Sequence, residues 1–444
     1  MWTDEIKKEL TEHIIPFWLS MKDEKNGGFY GFLSYELELN QKADKGCILN
    51  SRILWFFSHA YDYFKKNGGP DGAVLQDDAV IFKGADGKEG YTLGDLKAAA
   101  EHAFRFLKLA MCDVANGGVF WSSTYDGLPG DTLKHTYCQA FAIYGLAAYY
   151  EISKEKAALD LAYGLMDVIE NKCRDENGYL EAFTLDWQPH SNEELSENGV
   201  EAKRTMNTLL HVFEAYSELY RVDGNEKVKE KLKENSHLFM KHFYNPEKTR
   251  QEVFFDLDYK PLIDLHSYGH DIETAWLMEK GTDLLCDPEL DALVKPAFRA
   301  MEEHTYASAF DGEAFINECE NGVDDTKRIW WVECEAVIGF VNRAGHEAEK
   351  AGILLGDYIS NPEKAASGLT VEKENAFNEM KKYVSAAETV WTYIRDHIVD
   401  KRPGSEWLSE VDKENVPFSK KPIVEEWKCP YHNGRMCLEV LTRI

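Results

Sequence analysis

Apolar residues recurring every three or four positions constrain this chain more than any other feature. In the run Met206-NTLLHVFEAYSELY-Arg221 they fall at Leu209, Val212, Phe213, Tyr216, Leu219 and Tyr220, the stripe of a helix packed on one face. The same spacing predicts helices over 50–64, 135–150, 157–169, 272–285, 330–341 and 380–397. Between them lie short aromatic and glycine segments that resemble one another: GGFYGF at 27–32, GGVFWS at 117–122 and GYLEAF at 178–183. Weaker echoes are EVFFD near Phe254, DGEAFINE near Gly312 and SEWLSE near Trp407.

The distances between these six landmarks suggest an architecture. From 117 to 178, 178 to 254 and 254 to 312 the gaps are 61, 76 and 58 residues, room for two helices and their loops. A unit of helix, turn, helix and hairpin cannot bury its own apolar face, so several must stack or close on one another. Six units imply an all-α fold, an (α/α)6 barrel of inner and outer helices with short β-hairpin loops at one end. Two longer gaps, 90 residues from 27 and 95 from 312, point to surface insertions at about 67–94 and 345–374, rich in Gly, Asp, Asn-Pro and Ser-Gly breakers. The expectation is one catalytic domain spanning 1–444.

Composition narrows the function. With 44% apolar residues, 23 Phe, 22 Tyr and 11 Trp, the chain can bury a large core, and disorder as its main state is excluded. Against 78 acidic side chains stand only 50 basic ones, a balance that repels phosphate backbones and anionic lipid heads. Neither nucleic acid nor membrane is an expected partner, and no stretch approaches the length of a spanning helix. Nine cysteines, an odd number without repeated close pairs, together with acidic residues in MWTDEIKKEL, suggest reduced thiols in the cytoplasm.

Nucleotide and metalloprotease signatures are absent. Cys429-Pro-Tyr-His432 has a metal-like spacing but no matching pair to complete four ligands. What stands out is polar residues inside apolar helices. Asn207 and His211, four apart, share a helix face; the alternative is a core histidine satisfied by a carbonyl. His270, with Glu273 three residues on, reads as an oriented general base or as a helix-capping pair. Arg52, flanked by Asn50 and ILWFF, needs an anion or a ligand oxygen, or a structural carboxylate. Trp121, and Trp330 and Trp331 with Glu333 and Glu335, are sugar platforms or core. The run 425–440 gathers Trp427, Tyr431, His432 and Arg435 before a final helix, as a functional loop or as plain C-terminal docking.

Five of these runs resemble one known family. KGCILNSRILWFFS (45–58), SENG with TMNTLLHV (196–212), SYGHDIETAWL (267–277), WWVECEAVIGF (330–340) and VEEWKCPYHNGRMCLE (424–439) are similar, in order, to the cellobiose 2-epimerases of the N-acylglucosamine 2-epimerase superfamily. The resemblance implies an (α/α)6 barrel that interconverts reducing-end glucose and mannose at C2 in β-1,4-linked disaccharides such as cellobiose and lactose, without metal or nicotinamide. It implies that His270 and His432 are the acid/base pair and His211 a third active-site histidine. Arg52 would bind the oxygens at C1 and C2 and, with help from His211 if protonated, meet their negative charge, and Glu273 would hold His270. Tyr137, Asn207, Trp331, Trp427 and Glu318 would line the sugar site. A small-molecule disaccharide is then the partner, and a monomer the expected state. The rivals are an aldose–ketose isomerase or N-acylglucosamine 2-epimerase of the same superfamily, an inverting glycoside hydrolase, and a non-catalytic carbohydrate-binding protein.

Overall fold

The computed structural model describes residues 1–69, 73–83, 90–192, 198–366, 369–418 and 421–444. Among them, six helices form an inner ring: Cys47–Asn67, Thr136–Ser153, Met206–Asp223, Tyr268–Asp283, Trp330–Ala351 and His432–Arg443. Each packs against its neighbours in that order, and the last closes on the first. Outside run Lys156–Lys172, Pro288–Ala309 and four helical stretches at 2–20, 93–111, 226–243 and 374–398, each of which contains a π turn. This is the (α/α)6 barrel the landmark spacing implies.

Short strands set the register of the ring. Lys45–Gly46, Lys134–His135, Arg204–Thr205, Leu265–Ser267 and Arg328–Ile329 each run directly into an inner helix. Each pairs antiparallel with a strand of a following hairpin, at Ser122, Ala182, Phe254, Glu318 and Glu410. Five inner helices therefore begin at the same end, where the hairpins gather.

Buried polar groups hold each unit to the next, and their repetition explains the sequence echoes. The fourth residue of an inner helix accepts a hairpin backbone N–H: Asn50 from Phe29 (3.1 Å), Gln139 from Val119 (2.7 Å), Asp271 from Gln251 (3.3 Å) and Glu333 from Phe315 (3.1 Å). A buried N–H left unpaired would be costly, so these contacts fix hairpin to helix. Gly28 and Gly118, at φ +67° and +77°, make room for two of them. A Cβ there would stand 3.0 Å from Asn50 Oδ1 and 2.8 Å from Gln139 Oε1. A second repeated device is a cation in the strand, paired with an aspartate at the hairpin turn: Lys45 with Asp23 (2.7 Å), Lys134 with Asp113 (3.0 Å), Arg204 with Asp175 (2.6 Å) and Arg328 with Asp311.

The segment expected as an insertion at 67–94 follows the first inner helix and carries a small hairpin, Val80–Phe82 against Tyr91–Thr92; 70–72 and 84–89 lie outside the described residues. The stretch expected at 345–374 starts later than its breakers suggest. Residues 345–351 continue an inner helix, followed by short helices Leu355–Ser360 and Pro362–Ala366, and 367–368 are not described. Ser196 and Glu197 of the SENG motif also lie outside the described residues. No described helix is long and apolar enough to cross a membrane.

Candidate active site

A cavity of about 820 Å³, counted out to its open mouth, occupies the hairpin end of the ring. Its lining follows from helix register. The sixth residues of five inner helices, Arg52, Phe141, His211, Glu273 and Glu335, stand at one level. Arg52, His211 and Glu273 form its floor. The walls come from helix starts: Tyr137, Asn207, His270, Trp330, Trp331 and His432, with Trp427 from the preceding loop.

Both expected acid/base histidines share this cavity. Trp331 stands between them, its ring centre 4.7 Å from that of His270 and 5.6 Å from that of His432. Gly269 permits this approach, because a Cβ there would lie 2.7 Å from the Trp331 ring. The partners of the three pocket histidines differ. His432 Nδ1 donates to Glu335 (2.7 Å) and His211 Nδ1 to Glu214 (2.8 Å), whereas His270 Nδ1 lies 2.7 Å from the Ser267 hydroxyl. Burial pushes all three imidazoles below their ordinary range, His270 to about 4, so each is neutral at neutral pH.

Arg52 supplies the positive charge at the floor. Its Nη2 donates to the Tyr137 hydroxyl (3.0 Å) and its Nη1 to the Trp427 carbonyl (3.2 Å). The guanidinium lies 4.1 Å from the Phe141 ring centre and 4.3 Å from that of Tyr431. Its Nε is buried without a hydrogen-bond partner, as is Asn207 Oδ1.

Beneath the floor Arg435 gathers three carboxylates. It bonds Glu214 (2.7 Å), Glu335 (2.7 Å) and Glu273, while the Tyr431 hydroxyl donates to Glu214 and Trp276 Nε1 to Glu335 (3.0 Å). Burial alone would raise the Glu214 carboxyl, but Arg435, His211 and Tyr431 hold it at about 2. Donor atoms of Glu273, Glu335 and His432 converge within 4.8 Å, a spacing a cation could use. The Arg435 guanidinium bonds both carboxylates and already provides positive charge there.

The geometry corrects three sequence expectations. Glu273 does not hold His270; its bonded partner is Arg435. Glu318 does not line the cavity: it sits opposite Ser267 in a strand pair and accepts from Asn198 (3.3 Å). His211 was expected to assist the oxyanion if protonated. Neutral, with Nδ1 committed to Glu214, it presents Nε2 as an acceptor instead. Among the other platforms, Trp121 packs behind Trp427 (5.6 Å), its indole N–H on Glu426. Glu214 escaped the sequence reading altogether, although it stands one helical turn after His211, where a carboxylate backing an imidazole is found.

Comparison with known proteins agrees with this geometry. The family profile of the N-acylglucosamine 2-epimerases (GlcNAc 2-epimerase) matches residues 82–352. A cellobiose 2-epimerase of Ruminococcus albus is 42% identical over 445 residues, covering 100% of this chain and 99% of that protein. The chain belongs to the N-acylglucosamine 2-epimerase family. One of Eubacterium cellulosolvens is 43% identical, with 99% of this chain and 98% of that protein covered. A solved sugar epimerase from a ruminal bacterium superposes with a TM-score of 0.83 at 42% identity, over 100% of this chain and 99% of its own.

Proposed function

We propose that this chain is a cellobiose 2-epimerase, converting the reducing-end glucose of cellobiose to mannose, and lactose to epilactose in the same way. The observation that carries the reading is the pair of neutral imidazoles, His270 and His432, packed on one indole in a cavity floored by a buried arginine. After ring opening, one imidazole takes the proton from C2, and the electron pair of that bond enters an enediolate. A proton returned to the opposite face of C2 gives the epimer. Arg52 faces the developing charge on the oxygens of C1 and C2. Such a preorganised donor contributes on the order of 3 kcal/mol in the transition state. Tyr137, Asn207, Trp331 and Trp427 hold the sugar and exclude water.

An inverting hydrolase would need two available carboxylates roughly 6.5–9.5 Å apart. Here Glu214, Glu273 and Glu335 are all committed to Arg435, which counts against that rival. In this reading the chain works as one cytoplasmic catalytic domain without metal or nicotinamide. The proposal keeps the chain a monomer, and its nine cysteines carry free thiols. The test is cellobiose in D2O followed by NMR, with and without EDTA. Deuterium at C2 of a mannose-ended disaccharide is expected in both; free glucose, a ketose or no product would overturn the reading.

A further inference from the structure

Ser267 occupies the N-cap of the helix that carries His270, yet its side chain makes no capping hydrogen bond. A serine there normally accepts an N–H of the first turn. The corresponding residue before Met206–Asp223, Thr205, does so, accepting from the Thr208 N–H (3.1 Å). Ser267 is buried, and its hydroxyl instead lies 2.7 Å from His270 Nδ1. The other two pocket histidines are backed by carboxylates. Only at His270 is the backing group uncharged.

We infer that Ser267 is a positioning residue for the epimerisation. Its hydroxyl accepts the Nδ1 proton of His270, fixing the tautomer whose Nε2 lone pair faces the substrate, without adding a negative charge. The inference rests on the proposed function. A proton taken from substrate onto Nε2 gives an imidazolium whose Nδ1–H stays on Ser267; its return restores the neutral ring, and the Nδ1 proton never moves. The carboxylate of Glu335 supports the imidazolium of His432 and a hydroxyl supports that of His270 less, so the two bases are unequal by construction. Freed of Ser267, the His270 ring would populate the tautomer with a proton on Nε2, which cannot accept another.

The experiment compares the full-length wild type, Ser267→Ala and Ser267→Thr, with folding checked by thermal midpoint. Each is incubated in D2O with cellobiose and, separately, with its mannose-ended epimer. Wild-type turnover tests the parent reading on its own. For Ser267→Ala the expectation is a kcat about 10–100-fold lower with KM within about twofold, because only part of a general acid/base contribution is lost. From one of the two epimers, deuterium entering C2 of recovered starting sugar should rise several-fold relative to product, since His432 still exchanges its own face while inversion stalls. Ser267→Thr, which keeps the hydroxyl, should restore both kcat and the exchange ratio. An unchanged kcat, or a loss with the same exchange ratio from both epimers and no rescue by threonine, would overturn the inference.

Discussion

At the residue scale, chemistry is assigned by what stands behind each ring. His270 and His432 are the groups able to take a proton on either side of a bound sugar, and neither is bonded into the fold by more than one side-chain hydrogen bond. His270→Ala and His432→Ala should each lower turnover at least about a thousandfold while leaving the thermal midpoint within a few degrees. An active enzyme after either change removes that ring from the mechanism. Arg52 depends on shape as well as charge, since one guanidinium reaches both the Tyr137 hydroxyl and the Trp427 carbonyl. Lysine keeps the charge but not the fork, so Arg52→Lys should reduce kcat/KM by about 10²–10³-fold in initial-rate assays. These residues were legible because a polar side chain in an apolar helix stripe demands an explanation. Glu318 stands outside the five matched runs, and strand pairing sets it opposite Ser267 with Asn198 as a partner.

At the element scale, the repeated contact between an inner helix and its hairpin decides stability. Gln139 both accepts from the Val119 N–H and donates to the Val119 and His135 carbonyls. Gln139→Leu strands those buried groups and should cost about 1–3 kcal/mol, read from a urea midpoint. Glu333 does the same task with a carboxyl that burial, opposed by Arg328, pushes up to about 8 from an ordinary 4.5. Across that window the folded protein keeps a proton the unfolded chain has released, so wild-type stability falls as pH rises. Gln does not titrate. The stability of Glu333→Gln relative to wild type should therefore climb between pH 4.5 and 8 and then level off; a pH-independent difference would refute the assignment. The sequence showed these units only where glycine or aromatics marked them. The hairpin turns place Leu37, Gly127, Trp187, Tyr259 and Asn415 all at positive φ, one backbone shape written in five residue types. That repetition is invisible to composition because only Gly127 announces it.

At the scale of the whole molecule, closure and charge separate cleanly. The ring's buried pairs, such as Lys45 with Asp23 and Lys428 with Glu406, are sealed from solvent on both sides, and salt screens such pairs little. The net charge of −28 instead resides largely on the outer surface, where carboxylates repel one another and favour expansion. The Debye length shrinks from about 30 Å at 0.01 M salt to about 8 Å at 0.15 M, so added NaCl over that range should raise the thermal midpoint by a few degrees. Catalysis should respond differently. A disaccharide carries no charge, and no long-range field draws it in, so kcat/KM for cellobiose should change less than about twofold over the same range. An anionic sugar would be repelled by this surface at low salt and gain rate steeply as salt is added. A midpoint that rises with a flat kcat/KM marks a neutral substrate, whereas a kcat/KM rising with salt would place a charged one in the cavity.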